Sequence, residues 1–294
     1  MLSLHTNAAA LSAQNSISRT QSALSTSQTR LSTGFRVNSA MDDAAGLQIA
    51  TRLKAQTSGM AMAMRNTQNS ISMMQTAEGA LDETTNILIR MKDLATQAAD
   101  ASSTTADKTA MQSEFDALTQ ELSNIVGNTS FGGQKLMNDT TGTFAATGGV
   151  NFQIGASSGE KMNVDVSTQI ATMHASLLAG ATNYLNTGVA PATVPTGTEL
   201  TGSASATIDL LKTAIDDVGA VRSALGAASN RLDHVYNNLA NVSTNTKAAT
   251  GRIMDTDFAS ESSNMTSSQM LLQAGTAMLK QSNSTSSLVM SLLQ

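Results

Sequence analysis

The sequence predicts a mainly α-helical protein: a long antiparallel helical bundle or coiled-coil rod, with paired N- and C-terminal helices and a small β-hairpin region. Apolar residues recur at heptad spacing through both ends and through long internal stretches, which is typical of helices that pack on partner helices. Twelve of the 20 glycines lie between Gly127 and Gly202, as do both prolines, so the flanking segments are almost free of helix breakers. Aromatic residues make up only 3% of the chain, whereas methionine, which fills gaps between helices, occurs 17 times.

The N-terminal segment predicts an amphipathic helix with a seam for a partner. Before Met41 the only charged residues are Arg19, Arg30 and Arg36. The face opposite the apolar stripe carries Ser, Thr, Asn and Gln, which indicates that it contacts neighbouring protein rather than water. The stripe consists of Leu4, Leu11, Ile17, Leu24 and Leu31.

A second, much longer helix is predicted from near Asp42 to about Ala101. It would contain roughly 55 residues and extend about 80 Å, whereas helices of globular proteins average about 11–12 residues. Asp42 and Asp43 lie where negative charge favours the positive end of the helix dipole. The apolar positions of this helix share one heptad register: Leu53, Met60, Met74, Leu81, Leu88 and Ala95.

The middle of the chain predicts a shorter helix, a hairpin and an exposed segment. Apolar residues from Met111 to Ile125 alternate in steps of four and three, and Gly127 is a plausible stop. Two runs with period-2 alternation, Val150–Ile154 and Met162–Val166, flank a glycine-containing turn and predict a β-hairpin. Residues 171–204 are rich in Ala, Thr and Gly, so we expect a short, variable surface segment there.

Two further helices are predicted after this segment. The first runs from about Ala206 to Ala249 and the second forms the C-terminus, where Lys280 is the only charged residue from Ser262 onward. Because both ends are charge-poor and amphipathic, we expect them to pair and to pack in an assembly. The C-terminal stripe consists of Phe258, Met265, Leu272, Leu279 and Leu293, and with the N-terminal stripe it forms the candidate assembly interface.

Composition and motifs argue against several other classes of protein. The absence of cysteine excludes disulfides and thiolate chemistry, and a net charge of −5 argues against nucleic-acid binding. No apolar run approaches the length of a membrane helix, so no membrane insertion is expected. The three histidines, His5, His174 and His234, are far apart, and no zinc or phosphate-binding motif is present. We therefore expect no catalytic residue, cofactor or metal.

Several motifs resemble bacterial flagellin. Residues 30–40 read RLSTGFRVNSA and are followed by DDAAGL at 42–47 and by QTAEGAL at 75–81. In the C-terminal half, DFASE at 257–261 and SLLQ at 291–294 stand in the expected order. The resemblance covers about residues 1–170 and 205–294. Only about 35 residues remain for the middle, where many flagellins insert large outer domains, so this is a short form.

The resemblance implies a structural subunit that polymerises into the flagellar filament and serves motility. Such subunits are exported unfolded, are secreted without a cleaved signal, and assemble outside the cell; their terminal helices line the inner tube and are expected to fold only on assembly. The inner-tube domain would comprise residues 1–40 and 253–294. The core helical domain would comprise 41–170 and 205–252, with 171–204 as the surface segment between them. The alternatives are a hook–filament junction protein or another coiled-coil structural rod.

The resemblance also implies partners. These are other copies of the chain, the flagellar export chaperone, the cap and the hook–filament junction proteins. Arg90, Leu94 and Glu114 match positions by which flagellins of this type engage a toll-like receptor of the host. The same residues also fit a structural interpretation, in which Arg90 and Glu114 pair across adjacent helices and Leu94 packs in the bundle.

Overall fold

The computed structural model describes residues 7–185 and 196–292, with only the backbone of 285–292. Leu4, Leu293 and both prolines therefore lie outside the described residues or side chains. The described chain is mainly α-helical, as predicted. Its elements in order are α1 Ala8–Thr33, α2 Ala44–Ala99, α3 Thr105–Asn128, β1 Ser130–Phe131, β2 Gln134–Lys135, β3 Val150–Gln153, β4 Lys161–Val164, α4 Ser167–Gly180, α5 Glu199–Met254 and α6 Phe258–Leu292.

The chain divides into two compact units. The terminal unit contains the chain up to Thr57 and from Thr244 onward, and the central unit contains Ser58–Ser243. In the terminal unit α1 packs on α6, and the two helices run antiparallel because the start of α1 contacts the end of α6. The prediction that the two ends of the chain pair is confirmed.

Local sequence explains where α1 begins and ends. The Asn7 side chain accepts a hydrogen bond from the backbone N–H of Ala10, 3.1 Å away, and so caps the first turn. Gly34 ends the helix with φ 76°, a left-handed conformation that glycine adopts without strain. Beyond it, the N–H of Arg36 donates to the carbonyl of Met254 at 2.6 Å, which ties the α1–α2 connection to the end of α5.

The central unit has one hydrophobic core, to which α2, α3, α4 and α5 all contribute. The heptad prediction for α2 is confirmed at Met60, Met74, Leu81, Leu88 and Ala95, which are all buried, whereas Leu53, in the terminal unit, is only half-buried. In α5 the buried positions from Ala204 to Leu232 follow alternating steps of three and four residues. These positions are Ala204, Thr207, Leu211, Ala214, Val218, Val221, Leu225, Ala228 and Leu232.

The predicted hairpin is present, and a second one was missed. Strands β3 and β4 pair antiparallel with Val150 opposite Val164. The additional pair, β1 and β2, has strands of only two residues, too short to produce an alternating pattern. Its turn is made by Gly132 and Gly133, whose φ angles of 58° and 85° favour glycine.

The expectation of an exposed segment over 171–204 needs correction within its described residues. Helix α4 extends to Gly180 and buries Met173 and Leu177, and Tyr184 beyond it is only 3% exposed. Helix α5 begins at Glu199 rather than near Ala206, with a non-helical Ser203 inside it. The high Ala, Thr and Gly content of this segment predicts a loop, although its first residues form the buried stripe of helix α4.

Candidate assembly interface

The terminal helix pair, α1 with α6, has an inner seam of half-buried side chains. Six of the ten candidate assembly residues lie in it: Ile17, Leu24, Leu31, Met265, Leu272 and Leu279. Large and small residues alternate along the seam. Ile17 packs so closely on Gly275 that a Cβ added to this glycine would lie 2.8 Å from Ile17 Cγ1. The predicted seam thus holds two helices of the same chain together.

Two of the candidate residues face outward instead. Leu11 and Phe258 are each 57% exposed. The heptad register does not include three other apolar residues of α6, and these are even more exposed than Leu11 and Phe258. They are Met270, Leu271 and Met278. We call these five exposed residues the outer apolar face; Met270, Leu271 and Met278 lie within about 100° of one another around α6, and Leu11 and Phe258 lie elsewhere on the outer surfaces of the pair. The signal that could have found the three missed residues is the pair of apolar runs at 270–272 and 278–279, which are wider than a seam requires.

The polar residues around this face have satisfied hydroxyl groups. In α1, Ser22, Thr26, Thr29 and Thr33 each donate to the carbonyl oxygen four residues earlier, and Thr266 does the same in α6. A hydroxyl that already has an acceptor loses less when it leaves water. Because these hydroxyls are already bonded and few charged residues are present, transferring the surface of α1 and α6 from water into a protein contact costs less free energy.

Two polar contacts join α1 and α6 directly. At one end the Asn7 Nδ2 group donates to Ser282 Oγ at 3.2 Å. At the other end the buried Glu261 carboxylate accepts a hydrogen bond from Ser27 Oγ at 2.5 Å, and Arg30 Nη1 lies 3.6 Å from its other oxygen.

The three candidate receptor residues lie close together on α2 and α3 of the central unit. Arg90 Nε and Nη2 donate to Glu114 Oε1 at 2.9 and 2.6 Å, and both side chains are about half exposed. Leu94, one turn further along α2, is only 3% exposed and belongs to the core. The geometry thus agrees with the structural interpretation, and it leaves the ion pair accessible on the surface.

A buried polar network in the central unit was not predicted from the sequence. Gln112 Nε2 donates both to Asp116 Oδ1, at 2.9 Å, and to Glu199 Oε2, at 2.8 Å. The N–H of Gly197 donates to Asp116, and Thr182 donates to Glu199 through its N–H and its hydroxyl. Burial raises the pKa of Glu199, but the hydrogen bonds from Thr182 and Gln112 outweigh it and hold this pKa below its usual value.

A second buried group is His174 of α4. Its Nδ1 lies 2.7 Å from the Tyr184 hydroxyl and its Nε2 lies 2.8 Å from the carbonyl oxygen of Met137. A carbonyl oxygen only accepts, so Nε2 carries the proton and Nδ1 accepts from Tyr184. Burial lowers the pKa of His174, although the Met137 bond and the Asp139 charge act in the opposite direction.

This lowered pKa predicts a pH dependence of stability. Above about pH 6.5, His174 is neutral in both the folded and the unfolded protein. Below this pH the unfolded chain binds a proton on His174 more readily than the folded protein does, because the folded-state pKa is lower. The free energy of unfolding therefore falls as the pH falls. Between pH 7.5 and 5.5, urea titrations of the wild type should therefore lose more stability than those of His174→Gln, by up to about 1.4 kcal/mol per pH unit. Equal slopes for the two proteins would contradict this assignment.

Within 7–185 and 196–292, no group of three or more His, Cys, Asp or Glu side chains could hold a metal ion. In the same ranges, none of the helices is both long and apolar enough to cross a bilayer.

Comparison with known proteins identifies the family. The family model described as bacterial flagellin N-terminal helical region matches residues 4–141, and that of the C-terminal helical region matches 208–293. The chain is 34% identical to "Flagellin A" of Vibrio anguillarum over an alignment of 383 residues that covers 100% of both chains. It is 39% identical to "Flagellin" of Halalkalibacterium halodurans over 267 residues, 90% of each chain. Because 383 exceeds 294, Flagellin A contains residues without a counterpart here.

The solved structure with the higher TM-score agrees with this result at the level of the fold. A putative flagellar hook-associated protein from Vibrio parahaemolyticus superposes with a TM-score of 0.53 at 15% identity, covering 73% of this chain and 100% of that one. The crystal structure of Bacillus cereus flagellin is 31% identical, with a TM-score of 0.45 over 60% of this chain and 88% of that one. Since the relatives that match the full length are flagellins, the junction-protein alternative is not favoured. The chain belongs to the bacterial flagellin family: it is an exported structural subunit that self-polymerises into the extracellular flagellar filament.

Proposed function

We propose that the terminal helix pair carries polymerisation through its outer apolar face, while the inner seam holds each subunit's own two helices together. The observation that carries this proposal is the exposure of Met270, Leu271 and Met278 beside a surface almost without charge. A patch of this kind on a soluble subunit is expected to be covered by protein. In the free subunit the pair forms only weakly, and neighbouring copies stabilise it by covering its outer face.

A seeded assembly experiment tests this function. Purified subunit is mixed with short filament fragments and examined by negative-stain electron microscopy. Long tubes are the expected result, because each added subunit covers the outer apolar face of the previous ones. Persistent small oligomers would contradict the proposal and would favour a coiled-coil structural rod.

The proposed domain organisation follows from the same assignment. Residues 1–40 and 253–294 form the inner-tube domain, 41–170 and 205–252 form the core helical domain, and 171–204 joins its two parts, with its described helical residues packed in the same core. Leu4 and Leu293 lie outside the described residues, and we propose them as members of the assembly interface from the heptad register alone. We further propose that the role is entirely mechanical, with no catalytic residue, metal or cofactor.

The proposed partners follow from the route to the filament. The export chaperone covers the apolar termini before secretion, and the cap and the hook–filament junction proteins contact subunits at the two ends of the filament. Support comes from the exposure of the outer apolar face, which needs cover in a subunit that has not yet assembled.

We also propose that the exposed Arg90–Glu114 pair forms part of a surface recognised by a toll-like receptor of the host. Leu94 supports this surface from beneath, since it is buried in the core. An exposed ion pair contributes at most about 1 kcal/mol to folding, so its accessible charges are free to serve recognition.

Replacing Arg90 with alanine should therefore weaken activation of receptor-bearing cells while changing the free energy of unfolding by less than about 1 kcal/mol. The matched control is Arg222→Ala, which breaks another partly exposed ion pair of the central unit, with Asp82 at 3.0 Å. The control should keep full activation. Equal activation by the two variants, both folded and monomeric, would reject the receptor assignment.

A further inference from the structure

The apolar part of the inner seam does not by itself fix how α1 and α6 are aligned. Its large residues recur every seven positions on both helices, as Ile17, Leu24 and Leu31 on α1 and Met265, Leu272 and Leu279 on α6. Sliding one helix past the other by seven residues would bring the same kinds of side chain together again. Such a slip moves α1 about 10 Å along α6, at ~1.5 Å per residue. Something other than apolar packing must therefore select the register.

Besides the Asn7–Ser282 contact and the backbone hydrogen bonds that join residues 34–36 to residues 254–256, one buried polar cluster distinguishes the observed register from the slipped ones. Glu261 is only 7% exposed, and among the described residues of α1 and α6 it alone is a buried charged residue. Its carboxylate accepts from Ser27, which is also buried, and faces Arg30. A seven-residue slip would place Ala23 or Val37 opposite Glu261, where Arg30 lies now. The buried carboxylate of Glu261 would then have no cation beside it.

The positions of these residues on their helices strengthen the effect. Arg30 lies in the last turn of α1 and Glu261 in the first turn of α6. Each charge is opposite in sign to the partial charge at that end of its helix, so both positions are favourable. The cluster is not tuned for maximal stability, because the buried Arg30 Nε has no hydrogen-bond partner. Polar groups that cost stability but select one alignment are well known in coiled coils.

We propose that Glu261, together with Ser27 and Arg30, acts with the backbone hydrogen bonds between residues 34–36 and 254–256 to set the register of the terminal helix pair. This positioning role rests on the proposed assembly function, because the register decides which outer residues of α1 lie beside which outer residues of α6. A slipped pair would move Leu11 about 10 Å relative to Met270 and Met278, and neighbouring subunits would meet a different surface.

Disulfide cross-linking can report the register, because the natural chain contains no cysteine. The pair Ile17→Cys with Gly275→Cys reports the observed register, in which these positions touch. Leu24→Cys or Ala10→Cys, each with Gly275→Cys, reports a slip in one or the other direction, since a disulfide requires Cα atoms within about 7 Å. Each pair is placed in the full-length chain, mixed with filament seeds and oxidised, and cross-links within one subunit are recognised by their unchanged monomer mass.

Three substitutions are compared in each background. Glu261→Ala removes the carboxylate, and it should raise a slipped cross-link at least about tenfold, since breaking a buried charge pair shifts an equilibrium by more than that factor. Glu261→Gln keeps an oxygen that accepts from Ser27, so it should largely restore the observed register. Ser268→Ala is the matched control, a truncation at another half-buried seam position of α6, and should keep the observed register.

The outcomes separate a register role from a purely structural one. If Glu261→Ala forms only the cross-link of the observed register, or loses all three cross-links together, the proposal is overturned. In the latter case Glu261 would merely hold the pair together. A chain that keeps Glu261 and carries the Ile17→Cys and Gly275→Cys pair, and that forms the expected cross-link but no filaments, would instead refute the assembly function and leave the register role intact.

Discussion

Met270→Asp should abolish filament formation while leaving the α1–α6 pairing of the free subunit at its wild-type level. Met270 is 63% exposed and lies outside the inner seam, so a carboxylate there is solvated in the free subunit. On assembly the same carboxylate would have to leave water without a partner, which costs several kcal/mol per ion. Seeded polymerisation measured by light scattering and negative-stain microscopy would detect the loss. An unchanged yield of the Ile17–Gly275 disulfide in free subunits, with and without Met270→Asp, would report that the pairing within the subunit is unaffected.

The comparison with Leu272→Asp separates the two surfaces. Leu272 is half-buried in the inner seam, so aspartate there should disrupt both the pair and the filament. As a control, Leu178→Asp makes the same change at an apolar side chain of the central unit that is 51% exposed, and it should leave assembly intact. Normal filaments from Met270→Asp would contradict the proposal that the outer apolar face is covered by neighbouring subunits in the filament.

Gln112→Leu should strongly destabilise the central unit. The substitution keeps nearly the same volume but removes the one side-chain amide that donates to both Asp116 and Glu199. Two buried carboxylates would then face each other with fewer donors, and the N–H of Leu200, which now donates to Gln112 Oε1 at 2.7 Å, would lose its acceptor. Losing a partner from a buried charged network typically costs about 3–5 kcal/mol.

Urea unfolding of the full chain, followed by circular dichroism, measures this effect. The matched control is Gln75→Leu, the same change at an exposed position of α2, which should alter the free energy of unfolding by no more than about 0.5 kcal/mol. If Gln112→Leu unfolds at the urea concentration of the wild type, the network does not stabilise the fold.

Long-range periodicity made most of the helices predictable. The stripes of α2 and α5 persist over many turns, and each is buried on one side as a heptad pattern requires. The β3–β4 hairpin was also predictable, because alternation and a glycine turn coincide there. Helix α4 was missed because its 14 residues contain too few turns for a clear period among Ala and Thr.

The site was only partly predictable, for a physical reason. A heptad pattern identifies the residues that lie in a seam, but it does not say whether the partner is the same chain or another copy. The heptad register therefore predicts the helix contact at Leu272 and Leu279, but it does not predict the exposed positions Met270 and Met278. The network around Gln112 joins residues more than 80 positions apart, and no local pattern predicts such a contact.

Thiol accessibility at Met278 tests the central claim most directly. A single cysteine is placed there in the otherwise cysteine-free chain, and its rate of reaction with a maleimide is measured in free subunits and in filaments. The outer apolar face predicts rapid labelling of the free subunit and labelling at least about tenfold slower in the filament, which corresponds to a contact worth 1.4 kcal/mol or more. Equal rates in both states would show that this face stays exposed to solvent, and would contradict the account.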